Sequence, residues 1–272
     1  MRIPVICFSL VLFKHSFVVV KPLIDSIAAL SRSSSDFKII LSIYDGSPAS
    51  YACPTKDQFT NYLQGVDIFY EKGSNIGYGS SNNRNFYRSF SSAFDVFVVV
   101  NPDIYFMSDK FLPLIHWILA DLECTCAAPL VLLPDGSIQY SAKHNPTFLS
   151  LLIGRFQFLR RISFFYRYDS WHRNLGFDYN NSIIPSTYLS GCLLVIPAWA
   201  FEHVGGFCDK YFLHVEDADL VRRLSLIGKT LHNPSGVVVH RWARGSHSSF
   251  SQILSLLKSY LVYCFIWGFR FF

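Results

Sequence analysis

Along its first 130 or so residues the chain alternates short, nearly continuous apolar runs with longer mixed stretches. Val5–Phe13 is the first run, and a mixed segment containing Pro22 to Leu30 follows it. Lys38–Tyr44 is the second, ending in the turn Asp45-Gly46-Ser47-Pro48. Val66–Tyr70, Asp95–Val100 and Cys124–Leu132 are the third, fourth and fifth, and the fourth ends at Asn101-Pro102-Asp103. Strands that are apolar without alternation are expected to be buried on both faces, which helix-length spacers allow when they cover a parallel sheet. Right-handed crossovers then make the sheet doubly wound, with a ligand crevice at the carboxyl ends of the strands. No repeat of 20 to 50 residues is visible, which excludes a solenoid.

Beyond Leu132 the pattern loosens. Pro134-Asp135-Gly136 reads as a turn between two short strands, and Arg155–Arg173 mixes five arginines with seven aromatics. Regularity returns at Thr187–Pro197 and continues to about His240. Phe250–Phe272 is mostly apolar at helical spacing, with Ile253, Leu254, Leu257, Tyr260, Leu261, Cys264 and Phe265 placed for one stripe. Lys258 interrupts the only span long enough to cross a bilayer, so a transmembrane reading is set aside. The expected organisation is one domain over 1–248, then an apolar C-terminal helix over 249–272 that either closes the core or touches a membrane.

Composition narrows the function classes. The chain has 272 residues, 51% hydrophobic and 17% aromatic, enough for a large core and against disorder. A net charge of +5 suits phosphates or acidic lipid but lacks the dense basic stripe of a nucleic-acid binder. Seven scattered cysteines without C-x-x-C spacing point to reduced thiols in a cytoplasmic setting. Lys14 and His15 follow the first apolar run and no small-residue cleavage site does, so Val5–Phe13 reads as a buried strand instead of a signal peptide.

The polar clusters fall where strands end. Asp45-Gly46-Ser47 either presents a carboxylate to a nucleoside or caps its own turn. Asn75-Ile76-Gly77-Tyr78-Gly79 has glycines that allow a phosphate or sugar close to the backbone, and serves equally as a loop-to-helix junction. Asp103, behind Pro102, is a candidate ligand for Mg2+ or Mn2+, which take one or two carboxylates and complete their shell with phosphates; a plain surface turn is the other reading. Glu216, Asp217 and Asp219 cannot share one helix face, so one is expected in a pocket and another paired with Arg222 or Arg223. Val237-Val238-Val239 ends in His240 and Arg241, suited to a metal or a diphosphate, with Ser246 and His247 as weaker candidates. No Walker loop, hydrolase elbow or H-E-x-x-H is present.

Taken in order, these clusters resemble the family-2 glycosyltransferases of GT-A fold, in particular the bacterial rhamnosyltransferase-like branch. The motifs are Asp45-Gly46-Ser47, Asn75-Ile76-Gly77-Tyr78-Gly79, Asn101-Pro102-Asp103, Ser190-Gly191-Cys192, Gly205-Gly206-Phe207, Glu216-Asp217-Ala218-Asp219 and His240. The resemblance implies a Rossmann-like, mostly parallel central sheet with helices on both faces. It implies an inverting, metal-dependent transfer of a sugar, rhamnose from dTDP-rhamnose by analogy, to a glycan acceptor that is polyprenyl-diphosphate-linked, in O-antigen or lipopolysaccharide synthesis at the inner face of the cytoplasmic membrane. Asp217 would be the base. Asp45, Asn75, Gly77, Tyr78, Asn101, Asp103 and Arg241 would face the donor, Ser190, Gly191 and Glu216 the sugar and acceptor, and Asp103 with His240 the metal. Three residues depart from the family pattern: Asn101 stands where many relatives carry an acid, Gly46 for a frequent Asn, and Cys208 for an Asp. Two rivals remain, a sugar nucleotidyltransferase and a silent binding module on the same scaffold. Phe13-Lys14-His15-Ser16 lacks the glycines that the first needs.

Overall fold

The structure, a computed structural model, describes residues 2–33, 35–241 and 250–272. Strand β1 (Val5–Leu12) leads to α1 (Phe17–Ser33), β2 (Lys38–Asp45), α2 (Lys56–Tyr62), β3 (Asp67–Lys72) and α3 (Tyr78–Ser89). Next come β4 (Val96–Val100), β5 (Ile104–Tyr105), α4 (Ser108–Ala120) and β6 (Cys124–Leu132). The looser region holds β7 (Ala142–Lys143), α5 (Phe148–Arg155), α6 (Ser163–His172), β8 (Ile184–Pro185) and β9 (Tyr188–Leu189). The chain then forms β10 (Leu193–Pro197), α7 (Ala198–His203), α8 (Glu216–Leu224), β11 (Lys229–His240) and α9 (Phe250–Trp267).

The five apolar runs are β1, β2, β3, β4 and β6, with ends moved by a residue or two. They belong to a nine-stranded sheet in the order β3-β2-β1-β4-β10-β6-β11-β5, with β8 also on β11. Alternate residues part to opposite faces. Ile6, Phe8 and Leu10 meet Val20 of α1 and Phe111 of α4, whereas Cys7, Phe97 and Val99 meet Phe86 of α3 and Phe201 of α7. Both faces of β1, β2, β4 and β6 are therefore dry, which is why they read as unbroken apolar runs, whereas β3 at the edge is only half-buried.

The long ladders β3-β2-β1-β4 and β6-β11 are parallel, but β10 runs antiparallel to both β4 and β6, and the short β5 and β8 run antiparallel to β11. The chain leaves β6 at the carboxyl edge, adds β8 to β11, and returns through β9 to enter β10 from that same edge. This reversal carries Ser190-Gly191-Cys192 to the rim where β4 also ends, with Leu193 opposite Val100.

The expected stripe on the last helix divides. Tyr260 is buried, and with Tyr263 it lies against Tyr211, Val215 and Ala218, while Leu254, Leu257, Leu261 and Phe265 face outward. The helix is apolar on nearly all sides, so helical spacing alone does not select its inner face. Trp267 Nε1 donates to Asp219 at 2.8 Å, and Arg222 donates to Tyr263 at 2.9 Å, fastening α9 to α8.

Candidate active site

The rim of the sheet brings the strand-end clusters together. Asp45 is 0% exposed, and its carboxylate accepts from Ser47 N at 2.9 Å and Tyr70 Oη at 3.2 Å. Lys72 Nζ lies 3.7 Å away. Of the two readings of this motif, the turn cap is the one this geometry displays, and Asp45 forms part of the cleft floor. Gly46 lies against Asn75, where an added Cβ would come 3.2 Å from its Cα.

The glycines at 77 and 79 serve chain-to-chain approach, not an open anion site. Gly77 has φ +90°, and a Cβ there would sit 2.4 Å from the Phe212 carbonyl. That same carbonyl accepts from Tyr78 N at 3.0 Å. Gly79 is pressed on Phe207, and Asn83 Nδ2 donates to the Phe207 carbonyl at 2.8 Å. Asp209 Oδ1, one residue past Cys208, accepts from Ser80 at 3.0 Å and helps hold this loop on α3.

Tyr78 is the link between the two halves of the cleft. Its hydroxyl is 3.1 Å from Asn101 Oδ1 and 3.0 Å from the Gly191 carbonyl, as a donor shared between them. Gly191 N in turn donates to Asp217 Oδ2 at 2.8 Å, and Ala218 N donates to Oδ1 at 2.9 Å. Asn101 N donates to the Cys192 carbonyl at 2.9 Å, and Ser190 N to the Ser141 carbonyl at 2.9 Å. Burial, with Glu216, Cys192 and Asp217 nearby, pushes the Tyr78 hydroxyl well above its ordinary pKa, so it acts only as a hydrogen-bonding group.

On the other side of Cys192, His240 Nε2 lies 3.2 Å from Asp103 Oδ1 and its Nδ1 lies 2.7 Å from Gln139 Oε1. Burial lowers the imidazole pKa, but Asp103 and Cys192 outweigh it and the result is about 10. Burial likewise acts to raise Asp103, and the hydrogen bond and charge of His240 turn the net shift downward. Arg241 N donates to the Asp103 carbonyl at 2.9 Å, and its guanidinium lies 5.7 Å over the Tyr105 ring. Ser246 and His247 lie outside the described residues.

The three acids separate as their helical positions require. Asp219 pairs with Arg223 at 2.9 Å behind the cleft. Asp217 faces Gly191. Glu216 is 5% exposed, and its Oε2 has no hydrogen-bond partner among the described residues. Burial first, then the Asp217 charge, pushes Glu216 up to about 8, so near neutrality it holds a proton.

Two cleft groups escape the sequence reading. Lys143 on β7 lies with its Nζ 4.8 Å over the Tyr188 ring. Burial lowers its pKa while Asp217 and Cys192 act against that. His15 feels both Asp103 and Asp45, though burial sets its net shift downward. Lys143 sits in a two-residue strand inside an irregular region, where no periodicity marks it. His15 directly follows a strand, a position that could have drawn notice as the strand-end acids did.

The cleft residues fit a hard divalent cation. Asp103 offers a carboxylate, and His240, on giving up the proton it shares with Asp103, would offer an imidazole whose far nitrogen is anchored by Gln139, the outer support that metal-binding histidines ordinarily have. Among the described residues, no group of three or more His, Cys, Asp or Glu is placed to hold an ion, so a cation bound here would need phosphates or water for the rest of its shell.

No protein-family model matches the chain. It is 29% identical over 186 residues to N-acetylglucosaminyl-diphospho-decaprenol L-rhamnosyltransferase of Mycobacterium tuberculosis (strain ATCC 25618 / H37Rv), covering 64% of this chain and 58% of the relative. It is 25% identical over 205 residues to rhamnosyltransferase WbbL of Escherichia coli (strain K12), covering 72% and 71%. Among solved structures, GalNAc-T7 with UDP, GalNAc and Mn2+ matches with a TM-score of 0.62 at 14% identity, over 98% of this chain and 48% of the other. The chain thus spans little more than half of the mycobacterial relative, 58%. By sequence it is similar to family-2 rhamnosyltransferases, and its α/β architecture is the GT-A fold of glycosyltransferases.

Proposed function

We propose that the chain is an inverting glycosyltransferase that moves a hexose from a nucleotide-diphosphate donor to a hydroxyl of a lipid-linked glycan. Rhamnose from dTDP-rhamnose is the reading its mycobacterial and Escherichia coli relatives favour, with an acceptor of polyprenyl-diphosphate type and a place in cell-surface polysaccharide synthesis. One observation carries the proposal. An unbroken contact chain runs from Asp217 through Gly191, Cys192 and Tyr78 to Asn101, and by way of Cys192 to His240 and Asp103.

In this reading Asp217 takes the proton of the acceptor hydroxyl as its oxygen bonds to the anomeric carbon and the bond to the diphosphate oxygen breaks. The backbone N–H groups of Gly191 and Ala218 aim the carboxylate. Protonated Glu216 donates to the sugar or acceptor, which gives its otherwise unmatched Oε2 a partner. Asp103 and His240 would hold Mg2+ or Mn2+, which when bound would supply positive charge beside the donor diphosphate. Asn75, Tyr78, Asn101 and Arg241 line the donor side, and Asp45 supports that side from beneath.

The test is transfer from labelled dTDP-, UDP- and GDP-sugars in the presence of Mn2+. Asp217→Asn should lower turnover by about 10²–10⁴-fold while donor binding persists. Unchanged turnover removes Asp217 from the mechanism. Metal-dependent donor binding, measured by calorimetry, should disappear in Asp103→Ala, and its persistence removes the metal role.

A further inference from the structure

A second feature of the molecule lies away from the cleft chemistry. The outer side of α9 carries Leu254, Leu257, Leu261 at 67% exposure and Phe265 at 86%, with Lys258 among them. A water-facing helix surface is ordinarily polar, and this one is not. The segment after α9 turns back onto α5. Phe148 N donates to the Arg270 carbonyl at 3.0 Å, Leu149 N to the Phe271 carbonyl at 2.9 Å, and the Phe148 and Phe271 rings lie 5.6 Å apart. The stretch so joined to α9 is itself apolar outside, with Phe148 at 39% and Phe158 and Phe164 each at 63% exposure.

Charge on this surface has one sign. Neither 148–168 nor 250–272 contains an acidic residue, although the chain has 19 Asp and Glu in all. Arg161, Arg167, Lys258 and Arg270 are exposed there. The one acid within the Arg155–Arg173 stretch, Asp169, is buried between Arg160 and Arg173 and offsets nothing outside. Exposed aromatics interleaved with arginines, on a helix that no longer hides its apolar side, match the interface of an anionic bilayer. A second copy of the same face is disfavoured, because it would set cation against cation with no acid between them. Among the described residues, no helix is long and apolar enough to cross a membrane, so the fitting geometry is a helix lying in the interface.

We propose that the outer side of α9, the segment that follows it and the α5–α6 stretch rest together on an anionic lipid surface. α9 is fastened to α8, whose first turn holds Glu216 and Asp217. The docked face thus sets the height of the acceptor side of the cleft above the lipid. This inference concerns the surface and does not depend on the sugar-transfer reading.

The experiment is co-sedimentation of the full chain with phosphatidylcholine vesicles and with vesicles also containing phosphatidylglycerol, with no donor or acceptor present. Binding is expected only with phosphatidylglycerol and should weaken with added salt. The double variant Arg161→Glu/Arg167→Glu should bind more than about tenfold more weakly, since each basic residue contributes roughly fivefold. Leu261→Asp/Phe265→Asp should abolish binding, and thermal unfolding should show both variants folded, because all four positions are exposed. Equal binding to both vesicle types, or undiminished binding by the variants, would overturn the proposal. So would a dimer in size-exclusion chromatography that Leu261→Asp/Phe265→Asp converts to a monomer.

Discussion

Asp217 owes its orientation to a residue with no side chain. A Cβ at Gly191 would come 2.9 Å from Asp217 Cβ and 3.3 Å from Oδ2, closer than the two can remain. Gly191→Ala is therefore expected to lower kcat by about 10–100-fold with donor affinity retained, since a misplacement near 1 Å costs on that scale. Steady-state rates beside a donor titration check it. Its neighbour Glu216 gives a pH signature. Its folded pKa of about 8 lies above the ordinary 4.5, so the native state keeps a proton the unfolded chain has released. That contribution to stability is whole below about pH 4.5 and is lost as pH rises to about 8, at roughly 1.4 kcal/mol per pH unit. Unfolding free energies of the wild type minus those of Glu216→Gln should fall across that window, and a flat difference would show that Glu216 is ionised in the folded protein. The acids at 216, 217 and 219 could be sorted from the sequence because helical geometry forces them apart. The unpartnered state of Glu216 could not, since it depends on Tyr78 and Tyr188 closing over it from remote segments.

At the scale of elements, α8 starts from an unusual backbone. His214 and Val215 both have positive φ, +73° and +67°, immediately before the acid pair. A β-branched residue in that region is strained, and here the strain turns the first turn of α8 into the cleft. The loop before it is clasped to Gly77, where φ is +90° and an added Cβ would meet the Phe212 carbonyl, so Gly77→Ala should lower stability by about 1–3 kcal/mol. Chemical denaturation measures that loss, and an unchanged midpoint would mean that the loop yields freely. Strands β1, β2, β4 and β6 were legible because two dry faces leave an unbroken apolar record. The direction of β10 was not, because a buried strand has the same composition whichever way it runs. The glycines at 77 and 79 were legible as places of close approach, but their partner, the loop around Phe207 and Phe212, is distant in sequence.

Across the whole molecule, a small third cluster joins α9 to α8 and the loop before it. Asp219 is 1% exposed and is the common acceptor for Arg223 and Trp267. Asp219→Ala should cost about 2–4 kcal/mol, because it strands a part-buried guanidinium and an indole N–H. It should also free α9 for tryptic cleavage at Lys258, and a protected Lys258 would show that ring packing alone retains the helix. The existence of this helix was plain from its apolar length, whereas its inner side required the positions of Tyr211 and Val215. The reversed strand β10 has a consequence for redesign. It anchors the returning end of the 133–192 excursion in the centre of the sheet, and β8 ties the same excursion to β11, so the portion from 144 to 183 is a cassette between two fixed ends. Exchanging the portion from 144 to 183 for that of a relative should retune which glycan is extended and leave nucleotide choice as it was, a separation readable from paired donor and acceptor screens of the chimera.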